Sequence, residues 1–357
     1  MGNTASMTKR KTSTHPRPAE TKPRPILVTG GAGYIGSHAC KALAAAGYTP
    51  VTYDNLVYGH AEAVRWGPLV VGDLADRELL TDTLKRFDVA AVMHFAAFTY
   101  VGESVSKPEV YLQNNVVNSF ALLDVMRETG VRHVVFSSTC ATYGIPQTMP
   151  IRESTAQRPL NPYGETKLMV ERALHCYDQA HKFRYAALRY FNAAGADPEG
   201  LIGEDHTPET HLIPLILDAA LGRRAAIDIY GTDYPTPDGT AVRDYVHVQD
   251  LAEAHVRALQ HLQAGGDSLA VNLGSGDGYS VRQVIDAAER MTGRRIPRRE
   301  VARRAGDPPI LMADPSLARK VLGWVPRISD LDSIIGTAWA WHCRDLDVPA
   351  YALTAAE

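Results

Sequence analysis

Seven residues, Gly30-Gly-Ala-Gly-Tyr-Ile-Gly36, constrain this chain more than any other stretch. They follow a β-rich run, Pro25-Ile-Leu-Val-Thr-Gly30, and lead into an apolar-spaced helical pattern over 35–46 that Gly47 closes. A strand that breaks into glycines and resumes as a helix is suited to a backbone that something must approach closely. Glycine serves the tight turn, the room beside a pyrophosphate, and the packing of helix on strand. The spacing is G-x-x-G-x-x-G rather than the commoner G-x-G-x-x-G. Phosphates would sit at the helix N-terminus, where free N–H groups and the helix dipole favour negative charge. Pro50-Val-Thr-Tyr-Asp54 reads as the next strand. An acid at its end accepts from both ribose hydroxyls and repels a 2′-phosphate, which selects NAD over NADP. Asp73, after another short apolar run, fits an adenine contact.

Further short apolar runs at 69–71, 89–94, 131–137 and 185–190 alternate with helical patterns, the longest at 108–129 and 161–181. Such alternation predicts an α/β fold: a Rossmann-type, doubly wound parallel sheet with helices on both faces. Beyond Asn192 the pattern loosens, and 231–240 is turn-rich. The expected organisation is a tail over 1–24 and a dinucleotide-binding domain over 25–191. A smaller, mixed α/β substrate domain over most of 192–357 follows, with about 242–270 rejoining the first sheet.

At 357 residues the chain can bury one large core or two smaller ones. A net charge of −3 gives no electrostatic case for nucleic acid as the main partner. Cys40, Cys140, Cys176 and Cys343 lie far apart without C-x-x-C spacing, which suits free thiols and a cytoplasmic setting. The thirteen histidines form no H-E-x-x-H pattern, so no metal site is expected. No apolar run approaches the roughly 20 residues of a membrane helix. Residues 1–24 carry Lys9, Arg10, Lys11, Arg17, Lys22 and Arg24 against Glu20, with prolines and little apolar surface, and are expected to be disordered. Met1-Gly-Asn-Thr-Ala-Ser6 fits the short N-myristoylation pattern, but membrane association through this tail is not expected.

Asn161-Pro-Tyr-Gly-Glu-Thr-Lys167 carries the chemistry. On a helix, Tyr163 and Lys167 share one face, a turn apart. A phenol of reference pKa about 10 becomes a base at neutral pH only when positive charge favours its anion. Lowering it by about three units needs about 4 kcal/mol, within reach of an ammonium and a nicotinamide cation in a partly dry cleft. The pair proposes acid/base work on a hydroxyl beside a redox cofactor.

Together with TGGAGYIGSH from Thr29, HFAA from His94, VGES from Val101, SSTCATYG from Ser137 and LRYFN from Leu188, these stretches resemble the extended short-chain dehydrogenase/reductase superfamily. GTDYPTPDGTAVRDYVHV from Gly231 and RRAGD from Arg303 narrow the likeness to its UDP-sugar 4-epimerase branch. The resemblance implies reversible inversion at C4 of a UDP-sugar, UDP-galactose to UDP-glucose, on tightly bound NAD through a 4-keto sugar. Tyr163 would be the base, Lys167 would hold the nicotinamide ribose, and the Thr139 hydroxyl would share the C4 proton. On the cofactor side it implies Gly30, Gly33, Tyr34, Ile35, Gly36, Asp54, Asn55, Asp73, Leu74, Phe95, Ala96, Ala97, Asn115 and Tyr190. On the nucleotide-sugar side it implies Asn192, His211, Tyr230, Arg243, Arg304, Asp307 and Leu311. It also implies a homodimer through the helices at 108–129 and 161–181.

Sister activities fit less well. Related 4,6-dehydratases carry an Asp-Glu pair after the equivalent threonine, and related decarboxylases a glutamate, where this chain has Cys140 and Ala141. Three positions depart from the family pattern: Thr99 replaces a lysine, His211 an asparagine, and Leu311 the common tyrosine at the sugar gate. The alternatives are a UDP-pentose 4-epimerase, since SSTCATYG also resembles members acting on pentoses, and an N-acetylhexosamine 4-epimerase, which a side chain smaller than tyrosine at Leu311 would admit. More remote is a non-catalytic NAD-binding regulator.

Overall fold

The computed structural model describes Gly2, residues 25–304 and residues 306–344. The expectations for the tail, Gly2 apart, lie outside the described residues. Seven parallel strands form the main sheet, in the order Leu269–Leu273, Arg184–Tyr190, His133–Thr139, Ala91–His94, Ile26–Thr29, Pro50–Asp54, Leu69–Val71. The chain enters at Ile26–Thr29, steps outward twice, then returns to the other side of its first strand. That reversal falls between Ile26–Thr29 and Ala91–His94, and a crevice at the carboxyl ends of strands opens at such a switch point.

These strands are apolar on both faces because both faces are covered. Ile26, Val28, Met93, Val135 and Leu188 pack under helices Tyr34–Ala45 and Val248–Gln263. Leu27, Val92, Val134 and Phe136 pack under helices Arg77–Arg86, Asn118–Thr129 and Pro162–His181. The sheet is a Rossmann-type fold, as the alternation predicts. Its last strand, Leu269–Leu273, comes from far along the chain and pairs in parallel with Arg184–Tyr190.

A second core gathers helices Leu212–Ala220, Val281–Thr292 and Leu331–His342 against strand Ile227–Tyr230. Ile227–Tyr230 pairs in parallel with Arg298–Val301. Beside it lies a mixed three-stranded sheet in which Val242–Arg243 meets Tyr279–Ser280 antiparallel and Ile310–Leu311 parallel. Two expectations change in detail. The segment expected as one helix over 108–129 begins as Pro108–Tyr111, widens into a π turn at Leu112–Val117, then continues as Asn118–Thr129. A short helix at Val101–Ser106, not anticipated, precedes it.

Candidate active site

A cavity of about 430 Å³ opens at the switch point. One wall is the glycine turn. Gly30 has φ +73°, and a Cβ there would stand 2.6 Å from the backbone nitrogen of Ala96 on the neighbouring crossover. A Cβ on Gly36 would stand 2.1 Å from the carbonyl oxygen of Gly30, so the helix can start against the strand only with glycine there. Gly33 is less confined, its nearest neighbour lying at 3.3 Å. Gly30, Gly33, Tyr34, Ile35 and Gly36 all line the cavity.

Asp54 ends its strand at the cavity, and burial pushes its carboxyl up from the usual range. Its oxygens accept from the N–H groups of Ala32 (3.0 Å) and Leu56 (2.9 Å), which work against that rise. Asp73 accepts from the side-chain amide of Asn55 at 2.8 Å, so the two residues expected at the adenosine end are locked together. Leu74, Phe95, Ala96, Ala97 and Tyr190 join them on the lining. Asn115 does not: its amide is spent on Phe98 N (2.8 Å), Phe98 O (2.9 Å) and the Thr166 hydroxyl (3.2 Å). Asn114 and Asn118 reach the cavity instead. The π turn shifts the helical register at this point, a feature that a 3.6-residue pattern does not reveal.

The catalytic candidates come from two elements held together by a second close backbone approach. Asn161 caps helix Pro162–His181 by accepting from Gly164 N–H at 2.9 Å, with Pro162 at the first helical position. A Cβ at Gly164 would stand 2.7 Å from the Ala141 carbonyl oxygen, so the helix starts directly against the turn that follows Thr139. Tyr163 and Thr139 thereby share the cavity wall, and the Thr139 hydroxyl is near enough to the Tyr163 phenol to favour its anion. Burial nevertheless pushes the phenol well above its ordinary value. Its place in the first turn of a helix favours the anion.

Lys167 is buried. Its ammonium donates to the Ser137 carbonyl at 2.8 Å and lies 6.0 Å from the centre of the Tyr163 ring. Burial draws it down to about 7, with Glu171 opposing that fall. Ser137 escaped the sequence reading although it lines the cavity and its hydroxyl bonds that of Tyr190. The available signal was strand alternation, because Ser137 and Thr139 lie two apart on one strand and share a face. Cys140 also lines the cavity, but burial pushes its thiol up to about 12, which leaves it inert.

The residues expected at the nucleotide sugar divide into two groups. Asn192 and His211 line the cavity. Tyr230, Arg243, Arg304, Asp307 and Leu311 belong to the adjoining region. Arg304 stacks over the Tyr230 ring at 3.8 Å, and Arg243 pairs with Asp307 at 2.9 Å. Leu311 is in register with Arg243 and packs in a cluster with Cys140 and Phe191. Arg243 is close enough to Cys140 to pull on its thiol, which puts this group beside the cavity.

The histidines, scattered in sequence, do cluster in space at one point. Glu204, His206, Glu209 and His211 converge, their ligand-type atoms all within 4.8 Å of one another. Burial would lower both imidazoles, but the two glutamates outweigh it and raise His206 to about 9 and His211 to about 10.

The residues fit NAD. The glycine turn supplies room for a diphosphate, the acids suit the ribose and adenine, and Tyr163 with Thr139 stands where a sugar hydroxyl would meet them. The model of the NAD dependent epimerase/dehydratase family matches residues 26–274. A UDP-glucose 4-epimerase of Rhizobium leguminosarum bv. trifolii is 54% identical over 319 residues, 89% of this chain and 97% of the relative. The crystal structure of UDP-glucose 4-epimerase from Brucella ovis in complex with NAD is similar with a TM-score of 0.87 and 55% identity, covering 88% of this chain and 97% of that one. The enzyme from Stenotrophomonas maltophila, with bound NAD and formylated UDP-arabinopyranose, gives 0.88 at 42% identity, covering 90% and 98%.

Proposed function

The chain belongs to the NAD dependent epimerase/dehydratase family, and from that premise we propose that it interconverts UDP-galactose and UDP-glucose by inversion at C4. The observation that carries this reading is the pairing of Tyr163 with Thr139 on one wall of a cavity whose other wall is the glycine turn. Gly30, Gly33 and Gly36 hold the dinucleotide by backbone, and Asp54, Asn55 and Asp73 hold its adenosine end. Bound NAD⁺ supplies a reversible acceptor for the C4 hydrogen with its electron pair, and a positive ring that favours a nearby phenolate.

Tyr163 takes the proton from the sugar O4 and later returns it to the ketone formed there. Thr139 keeps the O4 hydroxyl aligned with the phenol. Burial works against the phenolate, so Tyr163 depends on positive charge from its helix N-terminus, from Lys167 and from the nicotinamide. Inversion requires the 4-keto sugar to present its other face before reduction. Arg243 and Arg304 are suited to hold a diphosphate during that turn, since guanidinium pairs well with phosphate oxygens. Asp307 is suited to a ribose hydroxyl.

The chain acts as a homodimer. Support comes from the exposed apolar residues Val110, Leu112, Val117 and Phe120, all within the 108–129 segment proposed for the interface. A monomeric mass by light scattering at micromolar concentration would contradict it. The compartment is the cytoplasm, as four unpaired cysteines suggest. Among the described residues no helix is long and apolar enough to cross a membrane. The function is tested by incubating the purified protein with UDP-galactose, UDP-N-acetylgalactosamine and UDP-arabinose in parallel and separating the products. UDP-glucose formed fastest is the expected result; faster turnover of either other sugar would replace the substrate, and no product from any would reject the reading.

A further inference from the structure

Glu204, His206, Glu209 and His211 occupy one eight-residue segment between strand Asn192–Ala194 and helix Leu212–Ala220. The C4 chemistry does not use their clustering. His206 Nδ1 lies 3.2 Å from Glu204 Oε1 and 3.6 Å from a Glu209 oxygen, and His211 Nδ1 lies 2.8 and 3.0 Å from oxygens of the same two residues. Four donors around a zinc-sized ion, each about 2.0–2.2 Å from it, sit about 3.4 Å apart in a tetrahedron. The observed separations bracket that value.

Three further observations point the same way. His206 Nδ1 is shielded from solvent and makes no hydrogen bond, although two carboxylates stand close to it. Glu204 is buried, and among the described residues its ion-pair partners are these two histidines and no lysine or arginine. The segment is also pinned from outside: Trp341 donates its indole N–H to the Glu204 carbonyl at 2.9 Å, and His60 bonds the Asp205 carbonyl at 3.0 Å. Both bonds fix the start of the segment against its surroundings.

We propose that Glu204, His206, Glu209 and His211 form a binding site for one divalent transition-metal ion of the zinc or cobalt type. Two carboxylates balance the charge of a dication. Two imidazoles favour such an ion over calcium or magnesium, which take all-oxygen sets. The His206 ring lies edge-on to Tyr34 in the glycine turn, 6.2 Å between centres, and to Tyr100 across the cavity mouth, 6.4 Å. The ion clips the segment to itself at that wall and fixes the entry to helix Leu212–Ala220. Its role is positional; none of its ligands acts on the sugar C4.

The test uses the full chain with its NAD, freed of any affinity tag, stripped with a chelator and titrated with Co²⁺ and then Zn²⁺. The site predicts one equivalent of Co²⁺ per chain, with the intense visible absorption of a tetrahedral ion, no thiolate charge-transfer band, and displacement by Zn²⁺. His206→Ala and Glu209→Gln should each weaken binding by at least the roughly 10–100-fold that loss of an outer-shell partner costs. Retained NAD shows that each variant folds. Zn²⁺ should also raise the melting temperature of the wild-type protein, a reading that needs no variant. Absence of a saturable Co²⁺ spectrum, a spectrum unchanged in both variants, or no thermal shift would each overturn the site in favour of a purely hydrogen-bonded ion cluster.

Discussion

The reaction proposed above makes Tyr163 a base in surroundings where burial opposes its ionisation. In the proposed reaction Thr139 favours the phenolate, and Lys167 and the nicotinamide would bring the positive charge it needs. Removing only the hydroxyl should therefore spare the cofactor and abolish the proton transfer. Tyr163→Phe is expected to retain NAD, measured by releasing and quantifying the nucleotide, while turnover falls by about 10²–10⁴-fold. Wild-type rates in that variant would remove Tyr163 from its role. At this scale the sequence was informative where chemistry needs a residue type at a fixed spacing, as with Tyr163, Gly30 and Gly36, all of which line the cavity. It was silent where a role depends on direction. Nothing in the spacing said that Lys167 would donate to the Ser137 carbonyl, or that His211 would turn towards Glu204 and Glu209.

Helices and strands place these residues through close backbone approaches more than through side-chain contacts. Helix Pro162–His181 can bring Tyr163 to Thr139 because Gly164 leaves room for the Ala141 carbonyl. Gly164→Ala would put a methyl 2.7 Å from that oxygen, and backbone on both sides leaves little to give way. The expected cost is about 1–3 kcal/mol of stability, read as a lower denaturant midpoint. Turnover should fall with NAD content unchanged, because the shift separates phenol from threonine. Stability and rate equal to wild type would show that the approach is not needed. Element types were legible from periodicity, since strands buried on both faces read as continuous apolar runs. The π turn at Leu112–Val117 was not, because one extra residue in a turn leaves no mark in the sequence. That single step exchanged Asn115 for Asn114 and Asn118 at the cavity.

The molecule as a whole keeps several imidazoles neutral, and this sets its response to acid. Burial lowers His38, His247 and His255 to about 4 and His94 to about 3. His247 shows why: its Nδ1 accepts from Gln249 N–H while its Nε2 faces the Thr337 hydroxyl, so a second proton has no place. Unfolded, each imidazole takes up a proton below about 6.5, whereas folded it does not until about 3–4. The unfolded state thus binds more protons in that window, and stability falls as pH drops from about 6.5 towards 4. The slope is up to about 1.4 kcal/mol per pH unit for each histidine. Urea unfolding at pH 7, 6 and 5 should show the midpoint dropping steadily, and a midpoint constant to pH 5 would contradict the assignment. Chain order was least readable at this scale. The return of Leu269–Leu273 to the sheet edge depends on long-range pairing that local pattern only hints at.

The central claim, that C4 is inverted by oxidation and re-reduction inside one closed site, is tested most directly with UDP-galactose deuterated at C4. The purified protein is incubated with it in ordinary water, without added NAD, and the product is examined by mass spectrometry and NMR. The account predicts UDP-glucose that keeps its deuterium at C4, with no accumulation of NADH. Loss of the label to solvent would contradict it, because the hydrogen would then have left as a proton rather than returning from a bound cofactor.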